Sequence, residues 1–147
     1  MNKLKKIITG DRATQQERVL VLRFEHFQRS VLQPAAHIFD ALLAQYGARG
    51  FGVLVAIRPI GPKPPSPRML RELRVFFRDR DPDIAATAFA IEADGWVGRC
   101  IFETIRTVGR ALPVSGSMGF VRSEAEGIEW LEHTLSDLET EGRPSLT

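Results

Sequence analysis

Cysteine, histidine and long apolar runs are scarce in this chain of 147 residues. The only cysteine, Cys100, excludes an internal disulfide and a cysteine-based metal cluster. The three histidines are far apart in the sequence, and none shares a zinc-ligand spacing with Cys100. No apolar run approaches the roughly 20 residues that cross a bilayer. The sequence therefore predicts no metal, no cofactor and no membrane-spanning segment.

The charge is nearly balanced, with 20 basic and 18 acidic side chains. Most of the basic residues are arginines, whose planar guanidinium grips carboxylates and phosphates better than the lysine ammonium does. A domain that binds nucleic acid is usually more strongly basic, so we expect no specific nucleic-acid partner. The apolar part of the amino-terminal stretch is too short for a signal peptide, and nothing requires an oxidising compartment. We therefore expect a cytoplasmic location.

Strand and helix patterns alternate along the chain. The central strand patterns are almost continuously apolar, which is typical of parallel strands covered on both faces. Strands are predicted at 18–24, 51–57, 84–91 and within 114–122, and helices at 30–46, 67–78 and 95–109 and from Ser123 onward. Ser123 and Glu126 form a capping box at the start of the last helix. This pattern predicts one α/β domain with a mainly parallel central sheet flanked by about four helices.

The two ends of the chain differ from this pattern. Residues 1–16 are read as an extension or a first edge strand, with residues 3–9 joined to the next strand as an antiparallel hairpin by a turn at Gly10 and Asp11. The α/β domain is assigned to residues 17–138. The polar residues 139–147 are expected to form a flexible tail.

A proline-rich loop, residues 59–67, leads into the second predicted helix. Ser66 followed by Pro67 is the usual pattern of a helix N-cap with proline in the first helical position. Alternatively, Ser66 could accept a phosphate, because a helix N-terminus favours negative charge. The prolines remove backbone donors, so the loop does not resemble a phosphate-cradling loop of a nucleotide-binding protein.

Arginines recur on one side of the second predicted helix, at positions 68, 71, 74 and 78. Because their spacing is three, three and four, Arg68, Arg71, Arg74 and Arg78 share one side of the helix. Together with Lys63 they could bind an acidic protein, a phosphate or anionic lipid head groups. The alternative is a solvated helix face, partly neutralised by neighbouring acidic residues.

Several other side chains have a structural interpretation beside a functional one. Cys100 lies in an apolar helix pattern, which indicates a buried packing residue rather than a nucleophile. Ser115 lacks the surroundings of a nucleophile turn. Glu92 and Asp94 could form a carboxylate pair, although Asp94 could simply cap the third helix. Trp130 is expected to dock the last helix on the sheet, with a homodimer contact if part of its ring stays exposed.

The segments "VLVAIRPIGPKPPSPRMLRELRVFFR" and "IAATAFAIEADGWVGRCIFETIR…SGSMGFVRSEAEGIEWLEHTL" resemble the SpoIIAA-like branch of the STAS superfamily, named for sulfate transporters and anti-sigma-factor antagonists. The resemblance covers roughly residues 17–138 and includes Phe120, Ala125, Trp130 and Leu131. It implies the STAS fold and a noncatalytic bacterial regulatory module. In phosphorylated members the acceptor follows an aspartate, whereas prolines surround Ser66 here.

Three functions are compatible with these residues. The first is a noncatalytic module that binds a partner protein through residues 59–67 and the arginines. The second is a peripheral protein that binds anionic lipid or a small apolar ligand. The third is a hydrolase that uses Ser66 or Ser115, for which the sequence offers no identifiable base.

Overall fold

A computed structural model describes residues 12–25, 31–47, 49–58, 67–93, 95–111 and 116–142. The strands are β1 (Arg12–Gln16), β2 (Val19–Phe24), β3 (Gly52–Ile57), β4 (Ala86–Ile91) and β5 (Ser117–Val121). The helices are α1 (Leu32–Tyr46), α2 (Pro67–Arg80), α3 (Gly95–Ala111) and α4 (Glu124–Gly142), with a short 3₁₀ turn at Asp81–Asp83 after α2. The predicted α/β class, the mainly parallel sheet and the four helices are confirmed.

The five strands form one sheet in the order β1-β2-β3-β4-β5. Strands β2 to β5 are parallel, and β1 pairs antiparallel with β2. Each helical connection between parallel neighbours moves one step in the same direction along the sheet. Because such connections are nearly always right-handed, α1, α2 and α3 must lie on the same face.

Side-chain burial shows that the opposite face is covered by α4. The core between the sheet and the first three helices contains the larger apolar residues of β2 and β4, such as Phe24 and Phe89, together with Ile57 of β3. The core under α4 is built from alternate residues of the same strands, including Ala86, Ala88 and Ala90 of β4. Small side chains on this face allow the backbone of α4 to approach the sheet closely.

An N-terminal antiparallel pair of strands is present, and β1 and β2 are joined by a turn at Glu17 and Arg18. Glu17 takes a φ of 52°, a left-handed conformation that favours glycine. Sequence patterns miss this turn because it contains none of the usual turn residues. The predicted strand at residues 3–9 and the predicted turn at Gly10 and Asp11 lie outside the described residues and stay predictions.

The last helix continues past residue 138, where the sequence predicts the tail to begin. Glu139 lies within α4 and accepts a hydrogen bond from Nε of Arg49 at 2.8 Å. This bond raises the pKa of the Arg49 guanidinium above its usual value. Within the described ranges, no helix combines the length and the apolar character that crossing a membrane requires.

Candidate functional site

The second helix holds four of the five residues that the sequence predicts as a recognition surface. One side of α2 buries Leu73, Phe76 and Phe77 against the sheet and α1. Edge-to-face ring contacts fix Phe76 between Phe39 and Phe77, at centroid distances of 5.9 and 5.5 Å. The opposite side of α2 is therefore presented to solvent by a firmly anchored helix.

We call the exposed side chains Arg68, Arg71, Arg74 and Arg78 the α2 arginine surface. Nε of Arg68 lies 3.8 Å from Oε2 of Glu72, and Nε of Arg78 lies 3.2 Å from Oδ1 of Asp79. Arg71 and Arg74 have no ion-pair or hydrogen-bond partner among the residues that the structure describes. These two guanidinium groups are therefore available to an external anion.

Other predicted positions fall on residues that the structure does not describe. These are Lys63, Ser66 and the rest of residues 59–66, together with Asp94 and Ser115. The N-cap and phosphoacceptor interpretations of Ser66 therefore both stay predictions. Helix α2 begins at Pro67, the position that the sequence assigns to the first helical residue.

The prediction for Cys100 is wrong. Its side chain is exposed, as is that of Arg99, although Ile101 beside it is buried. The apolar face of α3 is carried by Ile101 and Ile105, and Cys100 falls on the adjacent solvent-facing side. The apolar sequence around Cys100 favours a core position, but composition alone does not determine which side of a helix faces the core.

Trp130 does dock α4 on the sheet, as predicted. Its half-buried ring lies over Gly119 of β5, so close that a Cβ atom at position 119 would be 2.7 Å from ring carbon Cζ2. Glycine is required there because it alone leaves room for the indole. A different tryptophan, Trp96 at the start of α3, is the exposed one, at 72% of its accessible area.

The carboxyl ends of the parallel strands form a second group of charged side chains. Glu25, Arg58, Glu92 and Arg122 each follow directly after a strand, from β2 to β5 in turn. A cleft of about 270 Å³ lies among Arg23, Arg58, Glu92 and Glu124, and a second, wider cleft shares Arg58 and Glu92. The sequence pattern singles out only Glu92 of this group, in a pair with Asp94, because the members are spread over roughly 100 residues of chain and only the sheet brings them together.

Much of this charge holds α4 in place. Oε2 of Glu92 accepts a hydrogen bond from the backbone N–H of Glu124 at 2.5 Å, so Glu92 caps α4. The N–H of Glu126 donates to Oγ of Ser123 at 3.1 Å, as the predicted capping box requires. The carboxylate of Glu126, however, accepts from the N–H of Arg122 rather than from that of Ser123. Glu92 is thus a structural residue of this site.

Arg122 is held by an aromatic ring instead of a carboxylate. Its guanidinium lies over the ring of Phe102 in α3, 4.6 Å from the ring centroid. Among the described residues, no group of three His, Cys, Asp or Glu side chains could hold a metal ion. These contacts connect helices to the sheet. On the α2 arginine surface, by contrast, Arg71 and Arg74 have no ion-pair or hydrogen-bond partner within the described residues.

Comparison of the chain with protein-family models, with curated proteins and with solved structures gave no significant match. The resemblance to the SpoIIAA-like branch of the STAS superfamily therefore stays a prediction. The function has to be argued from the surfaces described above.

Proposed function

We propose that this protein is a noncatalytic binding module that recognises an acidic partner protein through the α2 arginine surface. The observation that carries the proposal is the state of Arg71 and Arg74, which are exposed on an anchored helix and unpaired within the described residues. The SpoIIAA-like resemblance supports the same class of function, a bacterial regulatory module. A cytoplasmic location belongs to this proposal.

Arginine suits this role for a geometric reason. Its guanidinium offers parallel N–H donors that match the two oxygens of a carboxylate, so one arginine can bind one acidic side chain in a defined orientation. Because α2 is fixed by its buried phenylalanines, little backbone ordering is required when a partner binds. An acidic helix or segment of a partner protein fits a row of arginines spaced along one helix face.

The clefts at the strand ends favour a protein partner over an apolar ligand. The cleft beside β1 and β2 is lined mostly by charged side chains, among them Arg12, Arg23 and Glu25. An apolar molecule would have to desolvate these groups without replacing their hydrogen bonds, which is costly. Anionic lipid head groups remain a competing ligand for the α2 arginine surface, and the test below includes them.

The test is capture of a partner from a native extract by the immobilised protein and by the variant Arg71→Glu/Arg74→Glu. We expect the amount of partner captured by the variant to fall at least about tenfold. Hot-spot arginines at the centre of an interface each contribute about 2 kcal/mol or more to the binding free energy. A matched control, Arg99→Glu/Arg106→Glu on α3, makes the same change of charge on the neighbouring helix and should retain the partner.

Two results would contradict the proposal. If the Arg71→Glu/Arg74→Glu variant captures the partner as well as the unchanged protein does, the α2 arginine surface is not the binding site. If the unchanged protein instead binds vesicles of phosphatidylglycerol and the variant does not, the ligand is a lipid surface. A screen for esterase and phosphatase activity covers the hydrolase alternative, and turnover there would refute the noncatalytic assignment.

A further inference from the structure

Charge of opposite sign is segregated between the two faces of the sheet. The α4 segment from Glu124 to Glu139 contains six acidic residues and no lysine or arginine. Helix α2 contains five arginines and two acidic residues. Because α4 packs on one face of the sheet and α2 on the other, the acidic and the basic helix lie on opposite sides of the domain.

The exposed side of α4 carries its charges in a regular row. We call the exposed residues Glu126, Glu129, His133 and Asp137, spaced by three, four and four, the α4 acidic surface. Nε2 of His133 lies 3.6 Å from Oδ2 of Asp137. Glu129 has no ion-pair partner within the described residues. The Glu129 carboxylate is therefore available to an external cation.

The lengths of the two surfaces agree. From Arg68 to Arg78 the helix rises about 15 Å, and from Glu126 to Asp137 it rises about 16.5 Å, at about 1.5 Å per residue. Both rows advance by three or four residues, so both follow one side of their helix. An antiparallel or parallel pair of such helices brings the carboxylates of Glu126, Glu129 and Asp137 close to guanidinium groups of the other helix, with His133 between the last two.

Within one molecule this contact cannot form, because the sheet separates the two helices. We infer that the acidic partner of the α2 arginine surface is the α4 acidic surface of a second copy of this chain. This inference rests on the proposed function of α2 and identifies the partner of that surface.

The arrangement of the two surfaces determines the type of assembly. A two-fold dimer pairs the same patch, or two neighbouring patches, of both copies. Surfaces on opposite faces cannot pair twice between the same two copies, so each copy binds one neighbour through α2 and another through α4. The assembly is head-to-tail, it grows with protein concentration, and it weakens as salt screens the exposed charges.

The experiment is sedimentation velocity of the whole chain from about 10 µM to about 1 mM protein, at about 20 mM and about 500 mM salt. We expect species larger than a dimer at high protein concentration and low salt, and monomer at high salt. Two charge-reversed variants are then measured: Arg71→Glu/Arg74→Glu on α2 and Glu129→Lys/Asp137→Lys on α4. Each alone should be monomeric under all conditions.

Mixing the two variants is the decisive step. In the mixture, the unchanged acidic α4 of one variant meets the unchanged basic α2 of the other, and the two reversed surfaces also have opposite signs. We expect assembly to return in the equimolar mixture, which also shows that both variants are folded. The control Asp40→Lys/Asp83→Lys carries the same change of net charge as the α4 variant on exposed residues outside both surfaces, and it should assemble like the unchanged protein.

The inference is overturned if the unchanged protein is monomeric at about 1 mM and low salt, or if both variants assemble on their own. It is also overturned if each variant is monomeric and the mixture stays monomeric. Failure here is distinguishable from failure of the proposed function. A monomeric protein whose Arg71→Glu/Arg74→Glu variant loses a captured foreign protein keeps the proposed function and lacks self-association.

Discussion

Arg23 of β2 binds Glu124, the first residue of α4, through two hydrogen bonds to its two carboxylate oxygens. The Nε to Oε1 distance is 2.9 Å, and Nη2 donates to Oε2. Nη1 of the same guanidinium donates to Oγ1 of Thr14 in β1 at 2.8 Å. The single side chain of Arg23 thus connects β2 to the edge strand β1 and to helix α4. The two partners are 101 positions apart in the sequence.

We expect loss of either partner of this pair to destabilise the protein measurably. The side chains of Arg23 and Glu124 are only 20% and 31% exposed, so water replaces the lost bonds poorly. Glu124→Gln should lower the free energy of unfolding by about 1 to 2 kcal/mol. Urea unfolding of Arg23→Met, Glu124→Gln and the double variant measures the coupling, and strictly additive effects would show that the pair contributes nothing.

The close contact between Gly119 and Trp130 predicts a non-additive pair of substitutions. Gly119→Ala places a methyl group 2.7 Å from the indole carbons and should lower the free energy of unfolding by about 1 to 3 kcal/mol. Trp130→Leu removes the ring that the methyl group strikes. Gly119→Ala should therefore lower the free energy of unfolding clearly less when Trp130→Leu is also present than when it is made alone. Thermal unfolding of the three variants tests this. If Gly119→Ala lowers stability equally with and without Trp130→Leu, the indole does not lie over position 119.

Thr87 offers a stabilising substitution. It is completely buried in β4, between Val53 and Met118 of the neighbouring strands, and its hydroxyl has no hydrogen-bond partner among the described residues. Thr87→Val keeps the shape and removes an unsatisfied polar group, so the free energy of unfolding should rise by about 1 kcal/mol. Thr87→Ser, which keeps the hydroxyl, is the control and should be destabilising. A loss of stability in Thr87→Val would show that the hydroxyl is bonded.

Cys100 should react with a thiol reagent in the folded protein. Because its side chain is exposed on α3, we expect complete modification by 5,5′-dithiobis(2-nitrobenzoate) without denaturant. The rate should change little when urea is added below the unfolding transition. A thiol that reacts only after unfolding would restore the buried interpretation that the apolar sequence around it suggested.

The sequence predicted the architecture well and the charge arrangement poorly, for a physical reason. A buried strand such as 51–57 can be recognised from its own sequence, because its side chains must be apolar when both faces of the sheet are covered. Arg23, Thr14 and Glu124 are each ordinary surface residue types, and only the folded sheet brings them together. The turn at Glu17 and the exposure of Cys100 were missed because a local pattern fixes neither an unusual φ nor the rotation of a helix.

The α2 arginine surface could be predicted because its regular spacing lies within one helix, where periodicity alone determines which residues share a side. The spacing of the α4 acidic surface is equally visible in its sequence, but its proposed role depends on which face of the sheet α4 covers. The alternation of strands and helices determined by itself the α/β class and the number of helices that the described residues form, about four as expected. The tertiary structure decided that three helices share one face and that α4 covers the other. Right-handed crossovers force the first three together, and the last helix, which connects no strands, is free to pack on the opposite side.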